Sequence, residues 1–236
     1  MQIFRETENL YRLTRFGMVN CFLVKEKEGL TLIDTNLPGS AQLILAAAEK
    51  LHSPIQRILL THAHFDHVGS VESLVTALPD IEFLAGSREA RLLSGDFSLD
   101  AGESGKKLFG FKRVRTRPHR LLAEGEQVGS LHVVDSPGHT PGHISLLDVR
   151  DNSLIAGDAF TTQTGLVAAG VFSLTFPFPA LFSWNPELSA RSAGKLRALM
   201  PSQLAVGHGR TLVSPLDEMD RAIEEAFRQH PGAARG

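Results

Sequence analysis

Thr61-His62-Ala63-His64-Phe65-Asp66-His67 follows directly on Ile55-Gln56-Arg57-Ile58-Leu59-Leu60, and this junction decides the fold. The six residues before it are short and mostly apolar, and read as a buried strand. Side chains two apart on an extended chain point the same way, so His62 and His64 can bind one ion together. Asp66 and His67 fall where a helix is expected to start and run to about Ala77. From that turn they can address a second ion. Imidazole and carboxylate suit zinc and other borderline metals. Buried histidines have little reason to crowd together unless a metal gathers them.

Three further candidates sit after predicted strands. His139 lies in Ser136-Pro137-Gly138-His139-Thr140, after the run LHVVD. Asp158 ends Ala156-Gly157-Asp158, and His208 lies in Gly207-His208-Gly209. Glycine beside each lets the backbone approach closely or take positive φ.

The rest of the chain supplies a scaffold. Residues 9–14, 19–25, 30–34 and 81–84 read as strands. Helices are expected from Ser40, as N-cap, to about Leu51 and from about Ser87 to Leu93. Residues 95–118 change character: Gly, Asp and Ser, then Lys106, Lys107, Lys112, Arg113, Arg115 and Arg117. This stretch reads as an insertion or cap, partly helical, whose basic residues form either a solvated face or an anion-binding lid. The second half repeats the pattern, with strands at 131–135, 144–149, 153–157 and 203–206. A helix opens at Asn185-Pro186-Glu187, with Leu188, Leu196 and Leu199 on its apolar face. A last helix is expected from about Pro215 to Phe227, with a frayed tail after it. Two strand-rich halves, each ending in helices, predict one α/β domain: a four-layer α/β/β/α sandwich over residues 1–236.

Composition excludes several classes. The 236 residues are 42% apolar and 21% charged, ordinary for a globular protein with a real core. A net charge of −2 gives no electrostatic reason to expect nucleic acid. No window has the roughly 18 apolar residues of a membrane span, and no signal peptide is visible at the N-terminus. The single cysteine, Cys21, lies in an apolar run and reads as a small buried side chain. The expected location is the cytoplasm.

The chain resembles the metallo-β-lactamase superfamily from about residue 19 to 213. The resemblance rests on LIDTN at 32–36, THAHFDH at 61–67, SPGHTPGH at 136–143, GD at 157–158 and GHG at 207–209. It implies the αββα sandwich, with the active site at one edge of the paired sheets. It also implies that His62, His64 and His139 hold one ion, that Asp66, His67 and His208 hold a second, and that Asp158 bridges them. The ions would be two divalent metals, zinc in the first place, with manganese or iron as alternatives. Asp34 matches a family aspartate that orients a metal-bound histidine, although an Asp before Thr-Asn also reads as an ordinary turn.

The function so implied is metal-dependent hydrolysis of a small ester, lactone or thioester by a hydroxide held between two ions, with Asp66 as proton shuttle. Superfamily β-lactamases lack the bridging aspartate, which argues against β-lactams. Oxygen-reducing diiron relatives carry Glu where this chain has His64. Glyoxalase II shares all seven ligands but adds a helical C-terminal domain, and only 28 residues follow His208. N-acyl homoserine lactonases carry tyrosine where this chain has Thr161. The alternative is a mononuclear iron enzyme of the persulfide dioxygenase type, which resembles the chain at the same ligand positions. Residues 159–186 contain no Asp, Glu, Lys or Arg but many large apolar side chains, among them Phe160, Phe172, Phe176, Phe178, Phe182 and Trp184. They read as the wall for a small-molecule substrate with an apolar part or as a homodimer contact. Phe97, Phe109 and Phe111 could close over the same pocket.

Overall fold

The computed structural model describes residues 1–235, with side chains as far as Ala233. They fall into two compact units: Met1–Asp96 with Gly110–Leu122, and Phe97–Phe109 with the chain from Ala123 onward. Each unit carries one main sheet and its own helices, the inventory of the α/β class.

In the first unit the strands are β1 (Gln2–Arg5), β2 (Leu10–Arg15), β3 (Val19–Glu26), β4 (Gly29–Ile33), β5 (Ile55–Leu60), β6 (Glu82–Gly86) and β7 (Arg120–Leu122). They lie side by side in chain order. The first three pairings are antiparallel hairpins, and the next three are parallel, with helices in the connections. Parallel neighbours need such crossovers, here α1 (Ala41–Lys50), α2 (Val71–Ala77) and α3 (Ser87–Ser94). Val19 to Val24 is buried at every position, as an apolar run covered on both faces must be. Cys21 is fully buried there, and burial together with the nearby Asp34 charge pushes its thiol above the ordinary range.

The second unit contains β8 (Gln127–Val128), β9 (Leu131–Asp135), β10 (Ile144–Asp148), β11 (Ser153–Ile155), β12 (Phe160–Thr161), β13 (Val167–Ala168), α4 (Phe178–Phe182), α5 (Pro186–Ala198), β14 (Gln203–Ala205), β15 (Leu212–Val213) and α6 (Leu216–Gln229). Its main sheet runs β15-β14-β11-β10-β9-β8, and β12 and β13 form a separate ribbon. Asn185 caps α5 through its side chain, accepting from Leu188 N at 3.0 Å. On the buried face of α5, Leu196 is fully buried and Leu199 packs partly buried against the core, as expected, whereas Leu188 is half-buried and the rest of the face is small (Ser189, Ala190, Ser192, Ala193). Small side chains let α6 pack closely, and α6 buries Met219, Ala222, Ile223 and Ala226.

Several boundaries differ from the sequence reading for identifiable reasons. The helix expected at Asp66 begins at Val71. Thr35 N donates to His67 O at 2.6 Å and Ser70 N to Thr35 Oγ1 at 3.2 Å, so residues 66–70 are tied to the 35–38 loop before any helix can form. A Cβ on Gly69 would lie 2.4 Å from Asn36 O, so only glycine fits this approach. Residues 95–118 contain no helix. Two of their lysines act as fasteners: Lys106 Nζ donates to Ala180 O (3.0 Å) and Lys112 Nζ to Gly69 O (2.8 Å). Ser40 precedes α1, but its hydroxyl bonds Arg15 (2.7 Å) instead of capping the helix. The tail expected to fray forms a 3-10 turn, Pro231–Arg235, with Ala233 buried and its carbonyl accepting from Arg191.

Candidate metal centre

In the first unit, Thr61 to His67 leaves the end of β5 and brings His62, His64, Asp66 and His67 together. The ring centroids of His62 lie 4.9 Å from His64 and 4.1 Å from His67. All three imidazoles are buried, whereas the Asp66 side chain keeps 16% exposure. Asp66 Oδ2 is 3.9 Å from His67 Nε2.

Asp34 organises this cluster. It sits at φ +59°, a left-handed conformation that Asp tolerates better than most residues and that marks a constrained site. Its Oδ1 accepts from Thr61 N, and its Oδ2 accepts from Thr61 Oγ1 and from His67 Nδ1, all at 2.8 Å. Thr61 Oγ1, having donated to Asp34, accepts from His62 Nδ1 at 3.0 Å. Both imidazoles therefore carry their proton on Nδ1 and present Nε2 as the donor atom, the tautomer a metal requires. Asp34, His62 and His67 also offer ligand atoms within 4.8 Å of one another. Asp34 is nonetheless the support, because both its oxygens already accept from protein donors.

In the second unit the turns after β9, β11 and β14 bring His139, Asp158 and His208 together. Asp158 Oδ2 lies 3.5 Å from His139 Nε2 and 3.1 Å from His208 Nε2. Two ligand atoms of one tetrahedral ion at ~2.1 Å are separated by about 3.4 Å, so these spacings fit a shared ion as well as a hydrogen bond. His139 Nδ1 donates to Ser183 Oγ at 3.2 Å, and that hydroxyl donates onward to Pro179 O at 2.6 Å. His139 thus presents Nε2 as well. Gly138 (φ +135°) makes this turn, and a Cβ there would be 2.3 Å from Ser189 N.

His143, the second histidine of SPGHTPGH, had no assigned role in the sequence. It is fully buried; Nδ1 lies 2.8 Å from Ser136 Oγ, and Nε2 accepts the backbone N–H of Asp158 at 3.1 Å. It holds the Asp158 turn from behind. Ser183 was missed as well, because nothing local marks a serine 44 positions along the chain as a partner of His139. Thr161 is buried and donates to His208 O at 3.0 Å, so its hydroxyl serves the backbone of a candidate ligand.

The donor sets fit divalent metal ions: His62, His67 and His139 are each held on one tautomer by a protein acceptor, and carboxylates stand beside the imidazoles in each unit. Sequence and structure comparisons agree. The family model of the metallo-β-lactamase superfamily matches residues 14–208, and the chain belongs to that superfamily of metallohydrolases. It is 45% identical over 224 residues to the uncharacterized protein YobT of Bacillus subtilis, covering 93% of this chain and 96% of that one. It is 32% identical to the probable metallo-hydrolase YflN of the same organism, over 79% of this chain and 78% of that one. A hydroxyacylglutathione hydrolase of Legionella pneumophila is 30% identical over 66% of this chain but only 54% of its own length. Among solved structures, TTHA1623 in a di-iron-bound form matches with a TM-score of 0.65 and 28% identity, covering 86% of this chain and 94% of that one. A β-lactamase from Chitinophaga pinensis, 22% identical with a TM-score of 0.70 over 100% of this chain and 95% of that one, shares the fold. Among the described residues no helix is long and apolar enough to cross a membrane.

Proposed function

We propose that the chain hydrolyses a small ester, lactone or thioester at a dinuclear metal centre. The observation that carries this reading is Asp158, one carboxylate oxygen facing two separate imidazoles at 3.5 and 3.1 Å, as a bridging ligand would. On the division the family resemblance implies, His62, His64 and His139 serve one ion and Asp66, His67 and His208 the other. Such ions, when bound, lower the pKa of water from about 15.7 to about 7 and polarise a carbonyl. The protein's part is orientation and proton transfer. Asp34, Thr61, Ser183 and His143 hold the ligands and the Asp158 turn from behind. Asp66, the partly exposed member of its cluster, moves the proton toward the leaving group.

A second reading, oxygen-dependent sulfur chemistry at one iron, is kept because a relative of the same fold takes iron, there in a di-iron-bound form, so iron is a metal to test for. Elemental analysis of protein purified without chelator or added metal separates the two. About two zinc or manganese ions per chain, with turnover of a panel of esters, lactones and thioesters, supports hydrolysis. About one iron per chain with oxygen uptake on a persulfide overturns it.

A further inference from the structure

The uncharged stretch at 159–186 is a built wall. Segment 104–109 clasps α4 and the residues after it: Lys106 N donates to Trp184 O at 2.7 Å, Lys106 Nζ to Ala180 O, and Asn185 Nδ2 to Ser104 O at 2.7 Å. Gly105 lies against the Trp184 indole so closely that a Cβ would sit 2.4 Å from Nε1. On this frame four aromatic rings form a connected strip. Phe176 is 6.5 Å from the His208 ring, Phe178 is 5.1 Å from Phe176, Phe182 is 6.2 Å from Phe178, and Phe109 is 4.7 Å from Phe182. Phe178 and Phe109 are 48% and 45% exposed, a cost in water that calls for an occupant.

We propose that this strip is the subsite for an apolar acyl chain, so that the substrate is an ester or thioester of a medium-length or aryl-substituted acid. The inference rests on the hydrolytic reading above and adds its substrate class. What favours a substrate over a protein partner is continuity with the candidate ligands. The strip begins at the His208 ring, and Ser183, which ends α4, also accepts from His139 Nδ1. An acyl chain on the rings would hold its carbonyl at the end where the ligands are.

The test uses the full chain as purified with its metal. With p-nitrophenyl esters of straight-chain acids from acetyl to decanoyl, kcat/KM should rise about fourfold per methylene until the strip is covered. Phe178→Ser and Phe109→Ser should each lower the octanoyl-to-acetyl ratio at least tenfold. A second readout needs no turnover: Trp184 is the single tryptophan and is buried in this wall, so decanoate should change its emission saturably and more tightly than hexanoate does. Length-dependent binding without ester turnover supports the subsite and sinks the hydrolytic reading. Turnover with a flat length profile overturns the subsite and leaves hydrolysis standing. A Phe178→Ser protein that changes from dimer to monomer in sedimentation while both length profiles stay intact also overturns it, and assigns the strip to a subunit contact.

Discussion

The two sets of candidate ligands are built by opposite means. The first comes from seven consecutive residues at the end of one buried strand, and a charged group orients it. Asp34 accepts one ring N–H directly, at 2.8 Å, and a second through Thr61. The second comes from three turns far apart in the chain, and neutral groups orient it: the Ser183 hydroxyl for His139 and the His143 imidazole for the Asp158 backbone. Charge-assisted hydrogen bonds are roughly twice as strong as neutral ones. Both sets use close backbone approach, at Gly69 and at Gly138, but the local motif adds electrostatics where the dispersed set relies on neutral packing.

The largest effect should come from the one partly open carboxylate of the first set. Asp66→Asn keeps the shape and removes the proton-carrying group, so kcat should fall ~10²–10⁴-fold. Steady-state kinetics on metal-replete protein checks this, and an unchanged kcat removes Asp66 from proton transfer.

The supports come next, and they test the contrast itself. Asp34 accepts three donors, whereas an amide offers a single acceptor oxygen. Asp34→Asn should weaken metal affinity about 10–100-fold, measured by competition with a chelator. His143→Ala should cost less, near the low end of that range, and His143→Gln should recover part of the loss by offering an acceptor to the Asp158 N–H. A larger loss for His143→Ala than for Asp34→Asn would break the distinction between charged and neutral support.

That contrast also explains what the sequence reveals. THAHFDH is legible because its spacing alone puts imidazoles on one face, and SPGHT, GD and GHG are legible as turns after strands. Asp34 was divided between a turn and a support, and only its αL backbone and its bonds to Thr61 and His67 decide it. His143 and Ser183 carry no local signal, since their partners lie 15 and 44 positions away. The early start expected for α2 fails for a similar reason, because the 35–38 loop captures residues 66–70 across the fold. The edge strands β1, β7, β8 and β15 are too short to show a period. β12 and β13 were hidden in a stretch whose composition advertises apolarity and not alternation.

The smallest effect concerns how residues 110–118 are held beside the motif. Phe65 N donates to Gly110 O at 2.9 Å, and the Phe111 ring lies 4.7 Å from that of His64. Further along, Glu72 of α2 accepts from Thr116 N (3.1 Å) and Thr116 Oγ1 (3.0 Å), and from Arg115 N. Burial alone would raise the Glu72 carboxyl, but these hydrogen bonds hold it below its ordinary 4.5. A carboxylate depressed on folding stabilises the native state fully above its unfolded pKa, and that contribution disappears as pH falls through the folded one. Wild type should therefore exceed Glu72→Gln by about 2–4 °C in Tm at pH 7, the shift that ~1 kcal/mol gives in a domain of this size. The gap should close steadily as the pH is lowered below 4.5. A gap that stays constant with pH would mean that glutamine fails by shape, and that residues 115–116 are held by packing, the means that holds the dispersed ligand set.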